Sequence, residues 1–231
     1  NPVLDRGSLD FRDPKVFRYK GPAGAYWVMV AVEALQRQVV LYRSDDLRAW
    51  TLLSTYGPAG AVGGVWECPD LFPLEVDGNP DDVRWVLVIS LNPGGLMGGS
   101  GTQYVVGQFD GVTFTADGPV SDALDEIDWI DFGRDCYAGV TFSGLPAQER
   151  TLIAWMNNWD YARALPTSPW RGGRPSRATR RSGRGMGRCS AGSARGPAAA
   201  RPAAPRRAAM RRYEPTPEQR RTVKTMAGFE I

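Results

Sequence analysis

Through about residue 170, short runs of apolar residues recur, many of them β-branched or aromatic, separated by turn-forming residues. Ala25–Val32 (AYWVMVAV) and Gln38–Tyr42 (QVVLY) come first, and the polar turn Ser44-Asp45-Asp46 leads on to Trp50–Leu53 (WTLL). Runs this short, bounded by such turns, predict strands rather than helices. The succession repeats with Val83–Ser90 (VRWVLVIS), a Gly-rich loop, Gln103–Phe109 (QYVVGQF), the turn Asp110-Gly111 and Val112–Phe114. It begins a third time at Tyr137–Phe142 (YAGVTF) and continues, after a loop at 144–150, into Thr151–Met156 (TLIAWM). Between the first and second successions, GGVWECPDLF at 63–72 also reads as buried strand, with Glu67 as an odd charge inside it.

The strands around Trp27, Trp85 and Trp155 correspond to one another, 58 and 70 residues apart, with three or four strands between them. Radially repeated four-stranded sheets have this spacing. A β-sandwich gives similar local signals, with turns every ~8–12 residues, so the pattern alone leaves both architectures open.

Composition divides the chain into 1–172 and 173–231. All eight tryptophans lie between Trp27 and Trp170, whereas 171–212 holds no Ile, Leu, Val, Phe, Tyr or Trp. The first part carries 13 Arg/Lys against 22 Asp/Glu and the second 15 against 3, so the formal +3 sums two opposite surfaces. A stretch made of Arg, Ala, Gly, Pro and Ser cannot bury enough apolar area to offset its ordering entropy, and the second part is expected to be a disordered basic tail. That tail is the one hint of a nucleic-acid or acidic-surface partner, which is otherwise not expected.

The chain has no histidine, which excludes Ser-His-Asp, Cys-His and imidazole-metal sites and leaves carboxylates as the acid/base groups. Cys68, Cys136 and Cys189 have no CxxC spacing, so neither a zinc site nor a disulfide framework is indicated, and no metal is expected. No run approaches the ~20 apolar residues of a membrane helix, and no membrane partner is expected. The chain opens on Asn1 without signal-peptide character or an initiator Met, and is expected to continue upstream.

Four stretches could carry chemistry. Burial of Glu67 beside Trp66, Leu71 and Phe72 would disfavour its charged form and suit it to act as a general acid; the alternative is an edge-strand glutamate turned to solvent. In FRDPKVF, Arg12 keeps the Asp13 carboxylate ionised and Pro14 restricts Asp13 to extended backbone, so the pair could offer fixed acceptors to a polyhydroxylated ligand or simply form a surface turn. Arg134-Asp135 lies at the mouth of a strand. The cluster Trp155-Met156-Asn157-Asn158-Trp159-Asp160-Tyr161 combines flat aromatic faces and amides of the kind that grip sugars, although core packing alone would account for most tryptophans.

In this order FRDPKVF, WECPDLF, SGTQYVVGQFDG, DFGRDCYAGVTF and WMNNWDYA with PTSPWRG resemble the successive motifs of glycoside hydrolase family thirty-two, the levanases, exo-inulinases and invertases. The resemblance covers about residues 1–172. It implies an all-β fold, a partial five-bladed β-propeller of about three blades with an acidic pocket. The implied activity is retaining hydrolysis of β-fructosidic bonds in levan, inulin or sucrose, with no cofactor. By that resemblance Glu67 is the general acid/base and Asp13 binds fructosyl hydroxyls and stabilises the transition state. Arg12, Asp135, Trp66 and Trp159 line the fructosyl subsite. Secretion or a periplasmic location is the implied compartment for the fructanase branch.

Two departures qualify this. The family's nucleophile is an Asp in a motif resembling WMNDPNG, which is absent here, and Asp160 in the superficially similar WMNNWD belongs to a later family segment. The chain is therefore expected to begin after the first blade and to be inactive alone, or else to be a carbohydrate-binding remnant. After PTSPWRG the sequence switches to GGRPSRATRRSGRG, the mixture that a GC-rich gene yields out of frame, so a frameshift near Gly172 is expected.

Overall fold

Val28, Val30 and Val32 are fully buried on one face of their strand, while Met29 is buried on the other. A strand apolar on both faces must be covered from both sides, which is what stacked sheets provide. The computed structural model describes residues 2–22, 24–145, 150–166 and 176–179. Across these, ten strands form three antiparallel sheets, and a further short strand completes the third.

The first sheet has the order β1 (Phe11–Gly21), β2 (Gly24–Glu33), β3 (Gln38–Ser44) and β4 (Thr51–Tyr56). The second runs β5 (Val65–Val76), β6 (Asn79–Asn92), β7 (Gly101–Phe109) and β8 (Phe114–Ala116). The third is β9 (Tyr137–Thr141), β10 (Arg150–Trp155) and β11 (Ser176–Thr179), in the order β11-β10-β9. Each sheet is an up-and-down meander of one propeller blade, and β1, β5 and β9 are the innermost strands.

The main core fills the space between the first two blades. Val28, Val30, Val39 and Leu41 from one meet Trp66, Leu71, Leu87 and Ile89 from the other, all of them 1% exposed or less. Phe72, Val86, Val88 and Val106 bury the opposite face of the second blade, and Ile130 packs both there and against Cys136, Leu152 and Ala154 of the third. Full burial of each Val or Leu is worth roughly 1.5–3 kcal/mol, so the blade interfaces dominate the stability. Gly64 enters β5 where Pro93 crosses it; a Cβ there would meet the Pro93 carbonyl oxygen at 1.9 Å, and only glycine fits.

Sequence reading and structure differ at three places. β1 was expected only as a charged motif, because Arg12, Asp13 and Lys15 interrupt its apolar pattern. Asp13 is not extended: its φ is +56°, which the bulge described below imposes. Within 173–231, Ser176–Thr179 pairs along β10, although this segment was expected to be disordered; the remainder of that expectation lies outside the described residues.

Candidate active site

The three innermost strands carry the same irregularity. Arg12 pairs with Val32 and Lys15 with Val30, leaving Asp13 and Pro14 opposite Ala31 alone. Glu67 pairs with Ser90 and Asp70 with Val88, leaving Cys68 and Pro69 opposite Ile89. Tyr137 pairs with Trp155 and Val140 with Ile153, leaving Ala138 and Gly139 opposite Ala154. Each is a β-bulge, and its first extra residue takes a left-handed φ: +56° at Asp13, +47° at Cys68 and +53° at Ala138. Three non-glycine residues held in this region, at matched positions, mark a shared device rather than accidents of packing.

The residue before each bulge is Arg12, Glu67 or Tyr137, and the bulges bring these three together. Arg12 Nη2 donates to Glu67 Oε1 at 3.4 Å, and the Tyr137 hydroxyl donates to Glu67 Oε2. The Glu67 side chain keeps 24% exposure, so it can still meet a ligand. Arg12 Nη1 also reaches Asp10 at 3.4 Å. The two-residue reach of the bulges brings Asp13 onto Cys68: its Oδ2 accepts the Cys68 backbone N–H at 3.0 Å and the thiol at 3.7 Å. Thus a carboxylate from one blade is fixed on the residue that follows the glutamate of the next.

Protonation states follow from burial and neighbouring charge. Burial first, then the negative Asp13 and Glu67, push the Cys68 thiol up to about 12, so it stays an S–H donor to Asp13. Burial and the Glu67 hydrogen bond push Tyr137 well above the ordinary phenol range, so it too stays a donor. The two carboxylates are therefore surrounded by groups that can only give protons in hydrogen bonds.

Around this centre the aromatic cluster is layered outward. Trp155 lies 6.3 Å from Tyr137 and 4.8 Å from Trp159 between ring centroids, and Trp159 is 42% exposed. Asn158, fully buried, anchors the turn: its Nδ2 donates to the carbonyls of Gly98, Ser100 and Arg134, and its Oδ1 accepts from the Ser100 amide. Asp135 accepts the Tyr161 hydroxyl and its carboxyl is pushed up by burial. Among the described residues no hydrogen bond joins Asp135 to Glu67 or Asp13. Asp160 is ion-paired with Arg134.

The structure thus brings together Arg12, Asp13 and Glu67 and sets Trp159 on an aromatic series leading from them. Trp66 is different: it is fully buried, its Nε1 donates to the Ala61 carbonyl at 2.8 Å, and it cannot touch a substrate. Expected to line the subsite, it is instead the centre of the core between two blades. Tyr137 and Cys68 escaped sequence reading. No local pattern marked them, since YAGV shares no residue with RDPK or ECPD although each set starts at the residue before a bulge.

Antiparallel blades, two of four strands and one of three among the described residues, whose inner strands converge two carboxylates, an arginine and a tyrosine, define a β-propeller with an acidic centre. Residues 1–176 match the N-terminal domain of glycosyl hydrolases family 32, and the chain belongs to that family. It is 47% identical over 175 residues to a levanase of Bacillus subtilis, covering 74% of this chain and 25% of the levanase. It is 46% identical over 165 residues to an extracellular exo-inulinase of Aspergillus niger, covering 70% and 30% respectively. Among solved structures, the exo-inulinase of Aspergillus awamori matches with a TM-score of 0.69 and 40% identity, over 76% of this chain and 36% of that one. A Schwanniomyces occidentalis fructofuranosidase complexed with fructose matches with a TM-score of 0.68 and 36% identity, over 75% and 32%. The chain therefore spans about a quarter to a third of the length of these relatives.

Proposed function

We propose that this chain is the acid/base half of a retaining β-fructosidase acting on terminal fructosyl units of levan, inulin or sucrose. The observation that carries this is the Arg12–Glu67–Tyr137 contact set beside an Asp13 fixed on Cys68. Glu67 donates its proton to the glycosidic oxygen as the bond from that oxygen to the anomeric carbon breaks, and a nucleophilic carboxylate on the opposite side forms the glycosyl ester. Water then attacks the anomeric carbon, gives its proton to Glu67 and releases the ester carboxylate. Asp13 accepts hydrogen bonds from hydroxyls of the fructosyl ring and stabilises the positive charge that develops there, while Arg12 holds the Glu67 carboxyl. Trp159 offers a ring face to the sugar, and Asp135 a polar edge.

No residue here matches the nucleophile's motif, so in this reading turnover draws that carboxylate from outside the 231 residues. Release of fructose from levan, inulin and sucrose should be measured with this chain alone and with the chain joined to a first blade bearing the WMNDPNG-like motif. Fructose release only from the joined form, abolished by Glu67→Gln, is expected; arabinose release from arabinan without any fructose release sinks the reading.

A second reading is a non-catalytic binding module for fructose or short fructans. Calorimetric binding of fructose by the chain alone, with no turnover even in the joined form, selects it. For the tail we hold to out-of-frame translation, supported by the family match ending at residue 176, close to the composition break at Gly172. Sequencing the locus checks this: a one-base correction should restore a family-like strand pattern.

A further inference from the structure

Below the Arg12, Glu67 and Tyr137 contacts lies a second set of polar side chains that the proposed reaction does not use. Asp70 follows the β5 bulge and is almost wholly enclosed, its side chain 2% exposed. Its Oδ2 accepts the Thr141 backbone N–H at 2.6 Å and the Thr141 hydroxyl at 2.8 Å. Lys15, which follows the β1 bulge, approaches the same oxygen at 3.6 Å and donates to the Thr141 carbonyl. One carboxylate therefore ties β5 to β9 and, through Lys15, to β1. Arg150 of β10 faces the same charge, with its Nη1 on the Phe142 carbonyl at 3.2 Å.

A buried ion pair is a poor device for stability alone, because desolvating both charges consumes most of what their attraction returns; an apolar pair of similar volume often serves as well. Its advantage is directional. Oδ2 accepts two hydrogen bonds from Thr141 and faces the Lys15 ammonium at 3.6 Å, which sets the mutual placement of the three inner strands far more tightly than packed methyl groups would. The strands it fixes are the ones whose bulges present Arg12, Asp13, Glu67 and Tyr137, two to four residues away along each strand.

We infer that Asp70, with Lys15 and Thr141, is a positioning unit for the site: it holds β1, β5 and β9 in the register that lets Arg12 and Tyr137 reach Glu67 together and Asp13 reach Cys68. The inference rests on the reading of Glu67 and Asp13 as the working carboxylates. Asp70 touches no substrate and acts through Glu67 and its partners.

The test uses the full chain, labelled with carbon-13 at glutamate carboxyls and tyrosine rings, with the Glu67 signal assigned through Glu67→Gln. Thr141→Val removes one hydrogen bond and nearly no volume, and the double variant Lys15→Met with Asp70→Leu removes both charges while keeping an apolar fill. Both should stay folded. At fixed neutral pH, the Glu67 carboxyl and Tyr137 ring resonances should move away from their parent positions in each, and exchange of the Cys68 amide should quicken about tenfold or more as the site opens locally. Folded variants whose three signals all match the parent, whether or not they melt earlier, make the unit a mere brace and overturn the inference. The signals are read without substrate, so a failure of the joined form to cleave fructosides sinks the functional reading while leaving this outcome decisive on its own.

Discussion

The Tyr137 hydroxyl donates to Oε2 of Glu67, joining residues 70 positions apart on the inner strands of adjacent blades. On the other oxygen of the same carboxylate sits Arg12, so Glu67 is held from both flanks. In the proposed reaction Glu67 turns its proton toward the leaving oxygen and then recovers it, and a carboxyl gripped from two sides has few orientations to lose.

Tyr137→Phe removes one grip and keeps the ring packed against Trp155. Loss of a hydrogen bond to a half-enclosed carboxyl is worth about 1–3 kcal/mol, so in a form bearing the nucleophile the turnover number should fall about ten- to a hundredfold with KM little changed. Steady-state kinetics on sucrose and inulin check this; an unchanged turnover number detaches Tyr137 from the reaction.

Cys68 should be a slow thiol. With its pKa raised from 9.0 to about 12, almost none is thiolate at pH 8, and alkylation by iodoacetamide should be far slower than at an ordinary cysteine. Asp13→Asn removes a negative neighbour and should speed it. A group whose folded pKa lies above its unfolded value favours the folded state fully below the unfolded pKa and loses that contribution as pH rises through the folded one. Stability should therefore decline between about pH 9 and 12, and Cys68→Ser should flatten that part of the denaturation profile.

Asp128 follows the same sign in a lower window. Burial pushes its carboxyl from 3.8 to about 6, so the folded state favours the neutral form, and its contribution is lost as pH rises through about 6. Asp128→Asn should raise the melting temperature at pH 7 and leave it nearly unchanged at pH 3.5. Equal shifts at both values would show that the gain has another origin.

Trp66→Ala should cost about 3–5 kcal/mol in urea denaturation, since it empties the centre of the core between two blades and leaves the Ala61 carbonyl short of one donor. A loss of stability well below 1 kcal/mol would contradict the burial described above.

Most strands were legible because blades bury both faces, which leaves runs such as AYWVMVAV and VRWVLVIS mostly apolar. β1 was not, because its site-forming charges sit inside the strand. Motif resemblance singled out Asp13 and Glu67 as candidates, but it did not point to the side chains that the structure sets against them. Tyr137 and Cys68 are joined to the carboxylates only by the convergence of three bulges, a relation between residues 55 to 70 positions apart that no local pattern encodes. Trp66 was misread for the complementary reason: motif company says that a residue is near a site, not which way its ring points.

The bulges also reset the phase of each strand. In β5, Trp66 faces the first blade and Glu67 the third; after the extra residue Leu71 faces the first, while Asp70 and Phe72 face the third, so even positions take over the side that odd ones held. β1 does the same, with Phe11 and Val16 on one side and Arg12, Lys15 and Phe17 on the other. Deleting the single residue Pro69 would thus be a change of parity: every side chain beyond it would swap neighbours, driving the Asp70 carboxylate into the apolar seam with the first blade and turning Leu71 toward the third. Chain length at these three points sets the geometry of the candidate site as firmly as the identity of its acidic residues.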